Sequence, residues 1–129
     1  MSLFYIKLTY KIISETALKS YEEQIRIIEA SSINLAYYKA MSLGKNEAIE
    51  NNSIETSKVY WEFFGLTELK ELPEIKDGIE LETTTQELHP EIDVEKRYFH
   101  RMKFVKNKLT TDGVSALTSV FEPCFNYAF

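Results

Sequence analysis

Residues 3–13, LFYIKLTYKII, alternate without a break: Phe4, Ile6, Leu8, Tyr10 and Ile12 fall on one side, with Tyr5, Lys7, Thr9 and Lys11 on the other. Only an extended chain puts every second residue on one face, so the stretch reads as a half-buried strand with one wet side. A strand of this kind needs neighbours, because its amides must be paired and its apolar side covered. A neighbour follows at once. After the polar stretch SETALKS, residues 22–30 (EEQIRIIEA) set Ile25 and Ile27 against Gln24, Arg26 and Ile28. So short a polar connection suits an antiparallel hairpin.

The period then changes. Ser31-Ser32 offers an N-cap, and Ile33, Ala36, Tyr37, Ala40 and Leu43 recur at helical spacing, with Gly44 as a candidate residue just past the helix end. A further turn through residues 45–49 is open before Asn51-Asn52 breaks it. From about Thr56 to Leu66 a third strand follows, taking in most of VYWEFFGLTEL (residues 59–69), a stretch apolar on both faces. Lys76-Asp77-Gly78 carries the strongest turn signal in the chain, since Asp and Gly tolerate positive φ, and it leads into IELETTTQE as a fourth strand. Pro73 before it points to an edge-like approach.

The segment HPEIDVEKRYFHRMKFVKNKL begins acidic (Glu91, Asp93, Glu95) and ends basic (Arg101, Lys103, Lys106, Lys108). That order complements a helix macrodipole, and Tyr98, Met102, Val105 and Leu109 would share a helical face. A strand is the rival, since Tyr98, His100, Met102 and Phe104 also alternate; the charge order favours the helix. An aromatic tail, FEPCFNYAF, closes the chain. The fold class expected is therefore α+β: an antiparallel sheet of about four strands, one main helix on one face, and a C-terminal helical or aromatic tail on the other. A length of 129 residues with 44% apolar and 27% charged side chains fits one domain, residues 1–129, with a core of its own.

Composition narrows the function. A net charge of −5 argues against a nucleic-acid backbone as the general partner, because phosphate binding needs a basic face. The basic, aromatic run Lys96–Lys108 could stack single strands, but its acidic first turn and the net acidity read better as a solvated helix face. The single cysteine, Cys124, gives no sign of an oxidising compartment, and no apolar run approaches the roughly 20 residues that span a bilayer. A cytoplasmic protein without membrane contact is expected. His89 and His100 have no metal-ligand spacing with each other or with Cys124; a Cys124–His100 nucleophile pair is formally open, but a lone Cys among aromatics is usually a small buried hydrophobe. There is no Gly-rich phosphate loop, and no metal or cofactor is expected.

Several blocks resemble a known family. YIKLTYKI, YEEQIRIIEASSINLAYYKAMSLGK, VYWEFFGLTEL and KDGIELE occur in its order and spacing, with Glu23-Gln24-Ile25-Arg26, Ala30, Ala40 to Gly44, Trp61-Glu62-Phe63, Gly65, Asp77-Gly78 and Glu80 as the most telling matches. They resemble the small bacterial proteins grouped as domain of unknown function family 4288, over roughly residues 4–83, with residues 89–129 as a C-terminal extension. The resemblance implies one compact α+β domain and brings no activity, substrate or cofactor.

Two functional readings result. The first is a non-enzymatic protein-binding module, either masking a partner as immunity and antitoxin proteins do or pairing with a second copy as a homodimer; aromatic residues suit such surfaces. The second is a small-ligand binder or enzyme with Arg26 and Glu62 in an aromatic pocket, Glu62 raised in pKa by its surroundings and set near Glu80 or Glu82. Against it stands a simpler role for Glu62 in a cross-strand ion pair, with Arg26 for instance. On the third strand Val59, Trp61 and Phe63 are expected in the main core, while Tyr60, Glu62, Phe64 and Leu66 share the opposite face with Arg26. The candidate binding residues are thus Arg26, Tyr60, Glu62 and Phe64, and the cover expected over Tyr60 and Phe64 is the chain's own C-terminal segment.

Overall fold

The computed structural model describes residues 1–16, 19–54, 58–82 and 93–109. The elements are β1 (Ser2–Ser14), β2 (Lys19–Ala30), α1 (Ile33–Asn52), β3 (Val59–Leu72) and α2 (Val94–Asn107). The strands form one antiparallel sheet in the order β2-β1-β3, so the strictly alternating strand is the central one. The hairpin is in simple register, with Ser2 opposite Ala30 and Ile13 opposite Lys19.

The inward set of β1 is what the alternation requires. Phe4, Ile6, Leu8 and Tyr10 are all at most 1% exposed and belong to the main apolar cluster with Ile28, Ala36, Ala40 and Leu69. Burying a side chain of this size is worth roughly 1.5–3 kcal/mol, so this layer dominates folding. Helix α1 covers that face. Ser32 caps it, its hydroxyl accepting from the Leu35 amide at 3.2 Å.

Gly44 does not end the helix, which runs on to Asn52. The glycine is an approach point: a Cβ there would run into the Phe63 ring, so its absence lets α1 sit tight on β3. Trp61 and Phe63 pack against the core as expected, whereas Val59, at the start of the strand, is exposed.

Three strands form the sheet among the described residues, where four were expected. Residues 79–82 join no ladder, although the turn before them forms, with the Ile79 amide donating to the Lys76 carbonyl and Gly78 at φ +86°. The reason is visible at Lys7, whose ammonium bonds Glu82, so this acidic segment serves as a counter-charge. Residues 83–87 of the expected strand, and the aromatic tail with Cys124, lie outside the described residues.

Strand β3 is longer than expected and carries two register shifts, opposite Lys7/Leu8 and opposite Thr9/Tyr10. Each adds a residue to β3 and reverses the alternation beyond it. Leu66 was expected beside Tyr60 and Phe64, yet it lies opposite Leu8 and Leu69 opposite Ile6, both in the α1-side core. The shift opposite Thr9/Tyr10 turns Leu66 to this face, and the one opposite Lys7/Leu8 lets leucines three apart share it.

The charge order of the C-terminal segment is a helix, as expected. Asp93 caps α2 by accepting from the Glu95 amide at 3.0 Å, Glu95 lies in the first turn and Lys106 in the last. Helix α2 lies across the sheet face opposite α1, touching Lys11, Tyr21, Glu23 and Phe64, with Met102 against Gly65.

Candidate functional site

The side of β1 read as wet is the most unusual surface of the molecule. Lys7 is 6% exposed and Thr9 is fully buried. A buried ammonium is tolerable only where carboxylates meet it. Lys7 Nζ has two, bonding Glu82 and lying 3.5 Å from Glu23 Oε2. Thr9 and Thr67 satisfy each other hydroxyl to hydroxyl at 2.8 Å, and Thr67 also donates to the Lys7 carbonyl at 3.4 Å.

Helix α2 supplies the rest of this layer. Lys11 Nζ donates to Glu95 Oε1 at 2.5 Å, and the Tyr21 hydroxyl donates to the same oxygen at 2.9 Å. Those two bonds, Lys11's first, hold the Glu95 carboxyl below its usual range, outweighing the effect of burial. The Tyr98 hydroxyl donates to Glu23 Oε1 at 2.8 Å; burial, then that bond, pushes its pKa up to about 12. Tyr5, with the Lys70 ammonium 4.9 Å from its ring centre, is pushed far above the ordinary phenol range by burial and then by Glu82. Tyr10, on the α1 side, is raised in the same direction by burial.

Between these ions sits an aromatic cluster. The Phe64 ring lies 5.9 Å from Tyr21, 6.0 Å from Tyr98 and 5.2 Å from Phe99, centre to centre. The expected cover over Phe64 is therefore present: it is α2. Tyr60 stays 58% exposed.

Arg26 and Glu62 are not brought together. Arg26 points to the α1 side, 3.3 Å from Glu47, and donates to Gln24 Oε1 at 2.8 Å. Glu62 stands opposite Lys11, hence on the α2 side, on the other outer strand. A whole strand and the thickness of the sheet separate them. A shallow, open depression of about 390 Å³ is bounded by Ala30, Leu35 and Tyr38, away from all four candidates. Among the described residues no three His, Cys, Asp or Glu side chains gather as a metal site.

Sequence reading missed Lys7, Lys11, Glu23, Glu95, Tyr21 and Tyr98 as one constellation. Its signal was two lysines four apart on β1 together with an acidic helix start, which only a fold placing α2 over β1 could connect.

The two edges of the sheet also differ. On β3, Asn52 from the end of α1 donates to the Trp61 carbonyl at 2.8 Å and accepts from its amide at 2.7 Å, taking the place of a neighbouring strand. On β2, Ile25 and Ile27 are 52% and 48% exposed, and no strand of the described residues pairs its outer side.

No described helix is long and apolar enough to cross a membrane. No curated protein and no solved structure matches the chain. A family model does match, over residues 3–82, and its description is domain of unknown function (DUF4288). The chain belongs to that family.

Proposed function

We propose that this member of the DUF4288 family is a non-enzymatic protein-binding module that takes its partner along the outer side of β2. The observation that carries the reading is the pair Ile25 and Ile27, half exposed on an edge strand whose outer side no described strand occupies. Edge strands offer ready backbone donors and acceptors, and alternating side chains give selectivity. The charged groups beneath α2 support it from the other direction. Lys7, Lys11, Glu23 and Glu95 are engaged with one another and with their neighbours, which is the work of holding a helix. The separation of Arg26 from Glu62 leaves the pocket reading without its two central residues in one place.

The partner is either a protein whose working surface is masked, as immunity and antitoxin proteins do, or a second copy, in a bacterial cytoplasm. Of the residues proposed from sequence, Arg26 stands on this edge. Tyr60 and Glu62 would form a separate contact on β3, and Phe64 supports α2.

The test is capture from the native cell after cross-linking, with wild type beside an Ile25→Glu/Ile27→Glu variant of unchanged circular dichroism. A protein band, the chain itself included, that wild type holds and the variant loses is the expected result. Native mass spectrometry showing a bound small molecule and no protein would sink the reading.

A further inference from the structure

We propose that β2 pairs antiparallel with β2 of a second copy about a two-fold axis at Gln24, joining two three-stranded sheets into one. The inference rests on the protein-binding reading and names the partner. A two-fold axis between antiparallel edge strands stands perpendicular to the sheet, so like faces meet and the axis can move only from residue to residue. Charge then selects among the positions.

With Gln24 on the axis, Glu22 faces Arg26 of the second copy and Lys19 faces its Glu29, each pair occurring twice by symmetry. Tyr21 faces Ile27 and Glu23 faces Ile25, so the exposed isoleucines gain neighbours. The adjacent positions do worse. With Glu23 on the axis, that carboxylate meets itself and Arg26 faces Ser20. With Ile25 there, Glu22 faces Ile28 and Arg26 faces Gln24, so no opposite charges meet. With Arg26 there, the guanidinium meets itself and Glu23 meets Glu29. Of these registers only the first sets opposite charges against each other at two sites, and like charges directly opposite are destabilising.

In the single chain Arg26 lies 3.3 Å from Glu47, and the same groups also bond along their own strand, so the cross-copy pairs add to contacts already formed. Gln24 donates to Glu22 at 2.9 Å and Arg26 to Gln24 at 2.8 Å. The ends of the proposed ladder are defined as well. Lys39 Nζ holds the Glu29 carbonyl at 3.1 Å, so the open edge stops where the Lys19–Glu29 pair falls. Edges meant to stay single are blunted by bulges, prolines or cover. β3 has two register shifts and the Asn52 clamp; β2 runs 12 residues with neither bulge nor proline.

The experiment is sedimentation equilibrium of the whole chain, with Lys19→Glu and Glu29→Lys variants measured alone and mixed. Wild type should be dimeric, and each variant alone should dimerise about tenfold more weakly, since two attractive pairs become repulsive. Mixed in equal amounts, the two variants should recover wild-type affinity. In the mixed dimer both carboxylates of the Lys19→Glu chain face the two ammonium groups of the Glu29→Lys chain, so every pair is attractive again. A Gln24→Cys variant in a Cys124→Ser background should form an intermolecular disulfide, since cross-strand Cα separations of about 4.5–5.5 Å suit one; Ser20→Cys should not. A monomeric wild type, or a dimer indifferent to both swaps, overturns the proposal. A monomer that still captures a foreign protein through Ile25 and Ile27 overturns self-pairing alone and leaves the protein-binding reading standing.

Discussion

The two faces of the sheet are sealed by different chemistry. Under α1 the contacts are aliphatic and aromatic, with Ile6 and Leu8 fully buried and Gly44 admitting the Phe63 ring. Under α2 a shell of ion pairs and tyrosine hydroxyls surrounds Phe64. Apolar burial is nondirectional and stabilises whatever packs. Charged hydrogen bonds are directional, and a buried charge punishes any arrangement that leaves it unpaired. The α1 face thus supplies most of the stability, while the α2 face fixes where one helix must lie.

The strongest test of that contrast is Leu8→Ala against Phe64→Ala. Leu8 is fully buried and its truncation should cost about 2–5 kcal/mol in urea unfolding. Phe64 is only partly buried and should cost about 2–3 kcal/mol, under the range for wholly enclosed rings. A larger loss at Phe64 than at Leu8 would erase the distinction between the faces.

Next in size is Lys7. Lys7→Ala should cost about 1–3 kcal/mol by removing the ammonium that Glu23 and Glu82 share, whereas Lys7→Met should cost less, because it keeps the volume of a side chain that is 7% exposed. A methionine variant as weak as the alanine one would show that charge, rather than volume, holds this layer.

The pH response should differ by face too. Glu95 has a lowered pKa in the fold, so its contribution is present above the unfolded value and is lost as pH falls through the folded one. Glu95→Gln should therefore be less stable than wild type at neutral pH, and the gap should close in acid. Tyr5, Tyr10, Tyr21 and Tyr98 are raised, so stability should hold below about pH 10 and fall as pH climbs toward 12. Phenolate absorbance rising together with loss of circular dichroism would confirm it; ionisation of these groups without unfolding would not.

The smallest effect belongs to Tyr60. Exposed and outside the α2 cluster, Tyr60→Ser should change stability by less than about 0.5 kcal/mol. A larger loss would mean that this end of β3 is packed in solution.

Much of this was open to reading in the sequence. The alternation in β1 gave a strand, though not its central place or its two buried faces; the short polar link gave the hairpin, Ser32 gave the start of α1, and the acidic-to-basic order gave α2. Each is a local signal, written in neighbours along the chain. What failed was long-range. Residues 79–82 have strand-like composition, but Glu82 is committed to a lysine 75 positions away. One inserted residue in β3, at the shift opposite Thr9/Tyr10, carried Leu66 to the other face, and no local pattern marks where a ladder will slip.

The candidate residues divide along the same line. Sequence placed Phe64 beneath the C-terminal segment, because an apolar ring on a polar face needs a cover and that segment had the rings to supply it. It could not part Arg26 from Glu62, since facing is decided by register across three strands. Period and capping act within a few residues, so the sequence alone determined the type of nearly every described element. Which charges meet, and which edge of the sheet is left open, depend on pairings between distant segments, and those only the tertiary structure decided.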